Sequence, residues 1–209
     1  DKAPSFTALT TNGTVNFPED YKGNWVLFFS HPSDFTPVCT TEFMTMASME
    51  EEFRQMNVAL PGLSVDSLYS HIAWIEELEW KGMKNIKINF PVIADLNTKV
   101  STLYGMLQPN VSSTQAVRAV FVIDPEGIIR SITYYPLTTG RNFAEIKRMI
   151  QALQKSDETH NSTPANWQPG DDLIISTPVT VEAAAAGMAS TCENEYALDW
   201  FLRFKKDKA

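Results

Sequence analysis

The stretch Ser30-His31-Pro32-Ser33-Asp34-Phe35-Thr36-Pro37-Val38-Cys39-Thr40-Thr41-Glu42 gathers a thiol, an imidazole, two carboxylates and several hydroxyls. Thr36 is a good helix N-cap, and Pro37 suits the first helical position, where its fixed φ matches and its missing N–H costs nothing. Cys39 then falls at the third helical position. Free backbone N–H groups and the positive end of the helix dipole favour an anion there, so the sulfur is placed to react as a thiolate.

Magnitudes show that the helix alone is not enough. An ordinary thiol, with a pKa of about 8.5, is only about 3% ionised at pH 7, and making thiolate the main form takes roughly 2.7 kcal/mol. A helix terminus supplies about 0.3 to 1 kcal/mol, or up to about 2 when partly buried. A cation must therefore approach the sulfur, and an arginine suits best. On position alone the competing reading stays open, that Cys39 is a small buried hydrophobe near a helix start.

The elements that must hold this stretch alternate between short apolar runs and longer segments of helical period, which gives an α/β fold class. A strand is expected over residues 25–29. A helix over 37–56 follows, with Met46, Met49, Phe53 and Met56 on one face. Further strands are expected at 63–65 and 91–93, and helices at 70–80, 97–104 and 142–154. Residues 119–123 and 128–133 flank Asp124-Pro125-Glu126-Gly127 and read as an antiparallel hairpin.

From 156 to 172 the composition shifts to Ser, Thr, Asn, Pro and Gly, the mark of a linker. The expected organisation is therefore a main domain over 1–155, a linker over 156–172 and a C-terminal arm over 173–209. In that arm, Trp200, Phe201 and Phe204 are costly to leave in water. So short a segment cannot bury them alone, and it is expected to pack on the core or on a partner chain.

Composition narrows the function classes. The chain has 209 residues, 44% of them hydrophobic and 20% charged, an ordinary globular balance with no apolar run long enough to span a membrane. Its formal net charge of -8 opposes long-range attraction to nucleic acid or anionic membrane, so neither is expected as a partner. The two cysteines, Cys39 and Cys192, form no CxxC pair and cannot build a cysteine-rich zinc site. No basic-then-apolar leader opens the stretch that starts at Asp1, and a reducing, cytoplasmic setting is expected.

Pro32, Thr36 and Cys39 stand at the spacing Pro-x-x-x-Thr-x-x-Cys, which resembles the active-site loop of the peroxiredoxins. The longer string HPSDFTPVCTTE is similar to the one-cysteine, peroxiredoxin-6-like branch, where a histidine precedes the proline. The likeness continues through RAVFVIDPEG (118–127) and YPLTTGRNFAEI (135–146) into the arm. It implies a thioredoxin-like fold with a small C-terminal α+β dimerisation arm.

It also implies a thiol-dependent peroxidase for hydrogen peroxide and alkyl hydroperoxides, without metal, flavin or haem. Cys39 would be the nucleophile, and Thr36 would donate or relay a hydrogen bond to the peroxide. Arg118 would supply the cation demanded above. Pro32 would shield the site, Glu42 and Arg141 would orient Arg118, and His31 would play a supporting part. An external thiol, thioredoxin-like or glutathione-like, would reduce the resulting sulfenic acid. A homodimer is implied, with larger rings possible.

Some departures matter. Members of that branch can carry a lipase-type Gly-x-Ser-x-Gly element with a histidine before it; here Asn24 and Pro18 stand at those places, so phospholipase activity is not expected. Cys192 sits in Thr-Cys-Glu rather than a Val-Cys-Pro context, which favours a one-cysteine cycle over resolution by Cys192. Two rival functions use the same thiol: a redox sensor or holdase, and a hydrolase with His31, His71 or His160 as base.

Overall fold

The chain begins with a hairpin that the apolar pattern above does not announce. Strands β1 (Phe6–Thr10) and β2 (Gly13–Phe17) pair antiparallel. The signal was Asn12-Gly13, a dipeptide suited to tight hairpins, with Gly13 at φ +104°. The computed structural model describes residues 1–82, 86–112, 114–189 and 192–207, and it forms two units, 1–143 and 144–209.

In the first unit, β3 (Trp25–Ser30) leads into α1 (Pro37–Gln55), then β4 (Val58–Ala59), β5 (Gly62–Ser64) and α2 (Leu68–Glu77). A π-helical turn over Leu78–Gly82 follows, then β6 (Val92–Ala94), α3 (Lys99–Leu103), β7 (Arg118–Ile123) and β8 (Ile129–Tyr135). The strands lie in the order β2-β1-β6-β5-β3-β7-β8, with β4 beside β3. Strands β3, β5 and β6 run parallel, joined by the crossover helices α1 and α2, whereas β7 pairs antiparallel to β3 and β8 to β7.

Every residue of β3 and of β7 is buried, as expected of central strands covered on both faces. Phe17, Phe28, Tyr104 and Phe121 pack within one cluster, with ring centroids 5.1 to 6.2 Å apart. Phe29, Phe43, Trp74 and Phe90 form another aromatic group, with centroids 4.6 to 5.8 Å apart. On α1 the buried stripe is Cys39, Glu42, Phe43, Met46 and Phe53, while Met49 and Met56 are only half-buried. The core-facing side of this helix therefore begins with a thiol and a carboxylate, and a carboxylate there needs partners.

The second unit holds most of α4 (Phe143–Thr159), then β9 (Leu173–Ile174), α5 (Val181–Met188), β10 (Glu195–Asp199) and β11 (Leu202–Lys205). The expected break at 155 does not coincide with this division: α4 runs on through Ser156 to Thr159, and the units divide before Ala144. The polar tail of α4 has helix-compatible residues, and its composition alone resembled a linker. The arm is α+β as expected, with strands in the order β10-β11-β9. Within the second unit, Trp167 is buried with Ala152 and Leu173, while Val179, Leu198, Trp200 and Phe201 remain exposed.

Candidate active site

Thr36 has extended backbone angles (φ -108°, ψ 146°) and ends the loop after β3, so Pro37 opens α1 and Cys39 is its third residue. The expected capping bond from the Thr36 side chain is absent. Its hydroxyl donates instead to the Ser33 carbonyl at 2.8 Å. With that proton committed, the Thr36 oxygen still has acceptor lone pairs to offer. An apolar hollow of about 350 Å³ opens beside it, lined by Phe35, Thr36, Pro37, Thr40, Trp74, Glu77 and Leu78.

Cys39 is fully buried, and the side chain that meets it is Arg118, whose Nη1 donates to Sγ at 3.3 Å. The same Nη1 lies 2.7 Å from Glu42 Oε2, while Nε and Nη2 donate to the Leu137 carbonyl at 3.0 and 2.9 Å. Arg118 is 2% exposed, so it is no solvent-facing strand arginine. Strand pairing places it: Ser30 Oγ donates to the Val117 carbonyl at 2.6 Å and accepts from Ala119 N–H at 3.2 Å, which fixes the end of β3 against the start of β7.

Glu42 also receives Arg141, whose guanidinium is braced on the Ser30 and Ala119 carbonyls at 2.9 and 3.1 Å. Burial by itself would raise the Glu42 carboxyl, but the Arg141 charge and hydrogen bonds, with Arg118 behind them, hold it below the usual carboxylate range. Two buried cations thus share one carboxylate. The surplus positive charge is matched when the sulfur is a thiolate.

Pro32 is buried in the loop, next to His31. His31 does not bond the thiol: its Nε2 pairs with Asp34 Oδ1 at 2.9 Å, and its ring packs on Phe43 and Trp74. Burial pushes the His31 imidazole below its usual range against the opposing pull of Asp34. His71 Nδ1 meets the other oxygen of Asp34 at 2.8 Å. Asp34 gains this partner only through the fold, since His71 lies 37 residues away and no local pattern announces the pair.

His31, Asp34 and His71 offer metal-type ligand atoms within 4.8 Å of one another. Their 2.8 and 2.9 Å contacts are hydrogen-bond distances, shorter than the ~3.3 Å ligand separation of a tetrahedral zinc site with ~2.0 Å bonds. The rival hydrolase reading needs a histidine bonded to the thiol, and no such bond occurs among the described residues. His31 and His71 are engaged by Asp34, and His160 is exposed in the second unit, as is Cys192.

Comparison with known proteins agrees with this geometry. The AhpC/TSA family matches residues 1–132, and the C-terminal domain of 1-Cys peroxiredoxin matches residues 152–191. A peroxiredoxin of Methanosarcina mazei is 61% identical over 99% of this chain and 96% of its own length. One from Aquifex aeolicus is 48% identical over 99% of this chain and 95% of its own.

Among solved structures, a yeast mitochondrial 1-Cys peroxiredoxin superposes with a TM-score of 0.87 at 41% identity, covering 99% of this chain and 98% of that one. A cysteine-to-serine mutant of the peroxiredoxin 6 of Arenicola marina gives 0.86 at 34% identity, covering 100% and 97%. With a buried thiol under an arginine, a thioredoxin-like sheet behind it and relatives along its whole length, the chain belongs to the AhpC/TSA peroxiredoxins, in their one-cysteine, peroxiredoxin-6-like branch, and is a thiol-dependent peroxidase.

Proposed function

We propose that Cys39 is the nucleophile of this peroxidase, with Arg118 and Thr36 as its catalytic partners. The observation that carries the assignment is the 3.3 Å hydrogen bond from Arg118 Nη1 to Cys39 Sγ. The thiolate attacks the terminal peroxide oxygen, forming the S–O bond as the O–O bond breaks. The electron pair leaves on the second oxygen, which takes a proton and departs as water or an alcohol. Arg118 offsets the charge moving from sulfur to that oxygen. The Thr36 oxygen accepts from the peroxide hydroxyl and aims it. Glu42 and Arg141 hold Arg118, and Pro32 walls the loop.

The sulfenic acid on Cys39 then condenses with an external thiol, releasing water, and a second thiol frees Cys39 as the reductant leaves oxidised. A thioredoxin-like or glutathione-like donor fits, since the yeast relative's thiol resolving mechanism runs through glutathione/thioredoxin systems. Cys192 stays outside the cycle: it is exposed, and the one-cysteine C-terminal match ends just before it. The setting is cytoplasmic, where such thiols are abundant. Exposed Val179, Trp200 and Phe201 support a homodimer in which the arm is covered by a second copy.

The test is intact mass under denaturing, thiol-blocked conditions after one equivalent of hydrogen peroxide. Wild type and Cys192→Ser gain oxygen on Cys39, and Cys39→Ser does not. A Cys39–Cys192 disulfide would replace the one-cysteine cycle, and no fast change at Cys39 would overturn the assignment.

A further inference from the structure

We propose that His71 is a positioning residue for the peroxidase reaction, clamping Asp34 and, through it, the loop that presents Thr36 to the peroxide. The inference rests on the roles given above to Cys39 and Thr36. His71 lies on α2, while Asp34 lies two residues before Thr36. Their side chains are at most 1% exposed and meet at 2.8 Å.

Asp34 is held from both sides, by His71 on Oδ2 and by His31 on Oδ1. Its backbone N–H donates to Asp66 Oδ2 at 3.0 Å, and Asp66 also accepts from Ser33 and Ser64. Phe35, directly between Asp34 and Thr36, has φ +56°, a left-handed conformation that is costly for a bulky residue. Such a conformation persists only when its flanks are over-determined. One flank is α1; the other is the Asp34 carboxylate.

The partners of the His71 ring are both acceptors: Asp34 Oδ2 on Nδ1, and the Ile93 carbonyl on Nε2 at 3.2 Å. An ionised carboxylate can only accept, so His71 Nδ1 donates to Asp34. The ring thereby ties the loop to β6 as well as to α2. His31 differs, since among the described residues its Nδ1 has no hydrogen-bond partner and it grips Asp34 through Nε2 alone.

The experiment measures two rates on Cys39 in a Cys192→Ser background: single-turnover oxidation by hydrogen peroxide and alkylation by iodoacetamide. Alkylation reads the thiolate without needing Thr36. His71→Phe is expected to slow oxidation about 10- to 100-fold, the scale of a small misplacement of a catalytic group, with alkylation unchanged within about threefold. His71→Asn, whose amide nitrogen can replace Nδ1 toward Asp34, is expected to restore most of the oxidation rate.

In a Thr36→Val background, the His71→Phe loss is expected to shrink to within about threefold, because the two act as a unit. Additive losses, or a parallel change in alkylation, would overturn the proposal. Full oxidation by Thr36→Val would overturn the role of Thr36 as well, whereas slow Thr36→Val with normal His71→Phe would overturn only the clamp. If His71→Phe does not fold, ¹⁵N NMR of the wild-type imidazoles decides: a proton on His71 Nδ1 is expected, and a bare lone pair on Nδ1 overturns it.

Discussion

Arg141 clasps Glu42 with three hydrogen bonds, from its backbone N–H at 2.9 Å and Nε at 3.0 Å to Oε1, and from Nη2 at 2.7 Å to Oε2. That grip leaves Glu42 Oε2 facing Arg118, which in turn faces the sulfur. A charge this deep is tolerated only when paired and fully bonded. On the roles proposed above, the reaction depends on a line of four residues drawn from α1, β7 and the loop after β8.

Replacing Arg118 should test the electrostatic end of that line. Arg118→Met is expected to lower the peroxide second-order rate constant about 10²- to 10³-fold, the usual cost of losing one transition-state donor. Arg118→Lys should recover only part, because a lysine lacks the fork that reaches the Leu137 carbonyl and the sulfur together. Stopped-flow peroxide reduction, with circular dichroism to verify the fold, checks this; a full rate in Arg118→Met would remove Arg118 from the mechanism.

Acid should unfold the protein in two stages. His31, Asp34 and Glu42 are all lowered in the fold, from ordinary values of 6.5, 3.8 and 4.5. For each, the unfolded chain binds the proton more readily, so its contribution is complete above the ordinary value and is lost as pH falls toward the folded one. Urea midpoints should be flat above about pH 6.5, decline gently below it as His31 contributes, and drop steeply below about pH 4.5. Asp34→Asn and Glu42→Gln should start lower at pH 7 and fall less steeply in acid. A wild-type midpoint that holds down to pH 3 would contradict the buried pairing.

How far the sequence reaches is clear from particular residues. Thr36-Pro37 placed Cys39 in the first turn of α1 by local rules, and the charge argument required a cation. That this cation is Arg118, 79 residues away, came from resemblance. Strand pairing creates such proximity, and no local pattern encodes it. The Asp34–His71 contact was missed for the same reason. The β1–β2 hairpin was missed although Asn12-Gly13 announced it, because its strands alternate weakly.

Gly62 links packing to the site. A Cβ there would lie 2.8 Å from the Phe29 ring, which in turn supports the Arg141 guanidinium 5.3 Å from its centroid. Gly62→Ala is expected to cost about 1 to 3 kcal/mol by overpacking, read from urea denaturation. Because the ring must move under Arg141, peroxide turnover should fall as well; a stable, fully active Gly62→Ala would show that Phe29 can give way freely.

The two thiols should separate by reagent size. Cys192 is exposed, and Cys39 is fully buried against Arg118. A bulky aromatic disulfide such as 5,5′-dithiobis(2-nitrobenzoic acid) cannot reach Cys39 until the first turn of α1 opens, whereas hydrogen peroxide has only two heavy atoms to admit. In the native reduced protein the reagent should label Cys192 at the rate of a free thiol and Cys39 at least about tenfold more slowly, with the difference vanishing in guanidinium, where burial is abolished. Hydrogen peroxide should show the opposite order, oxidising Cys39 first. Peptide mapping after brief exposure to each reagent gives both orders. Rapid labelling of native Cys39 by the bulky reagent would mean that the site is open before reaction, so that access plays no part in selecting a small oxidant.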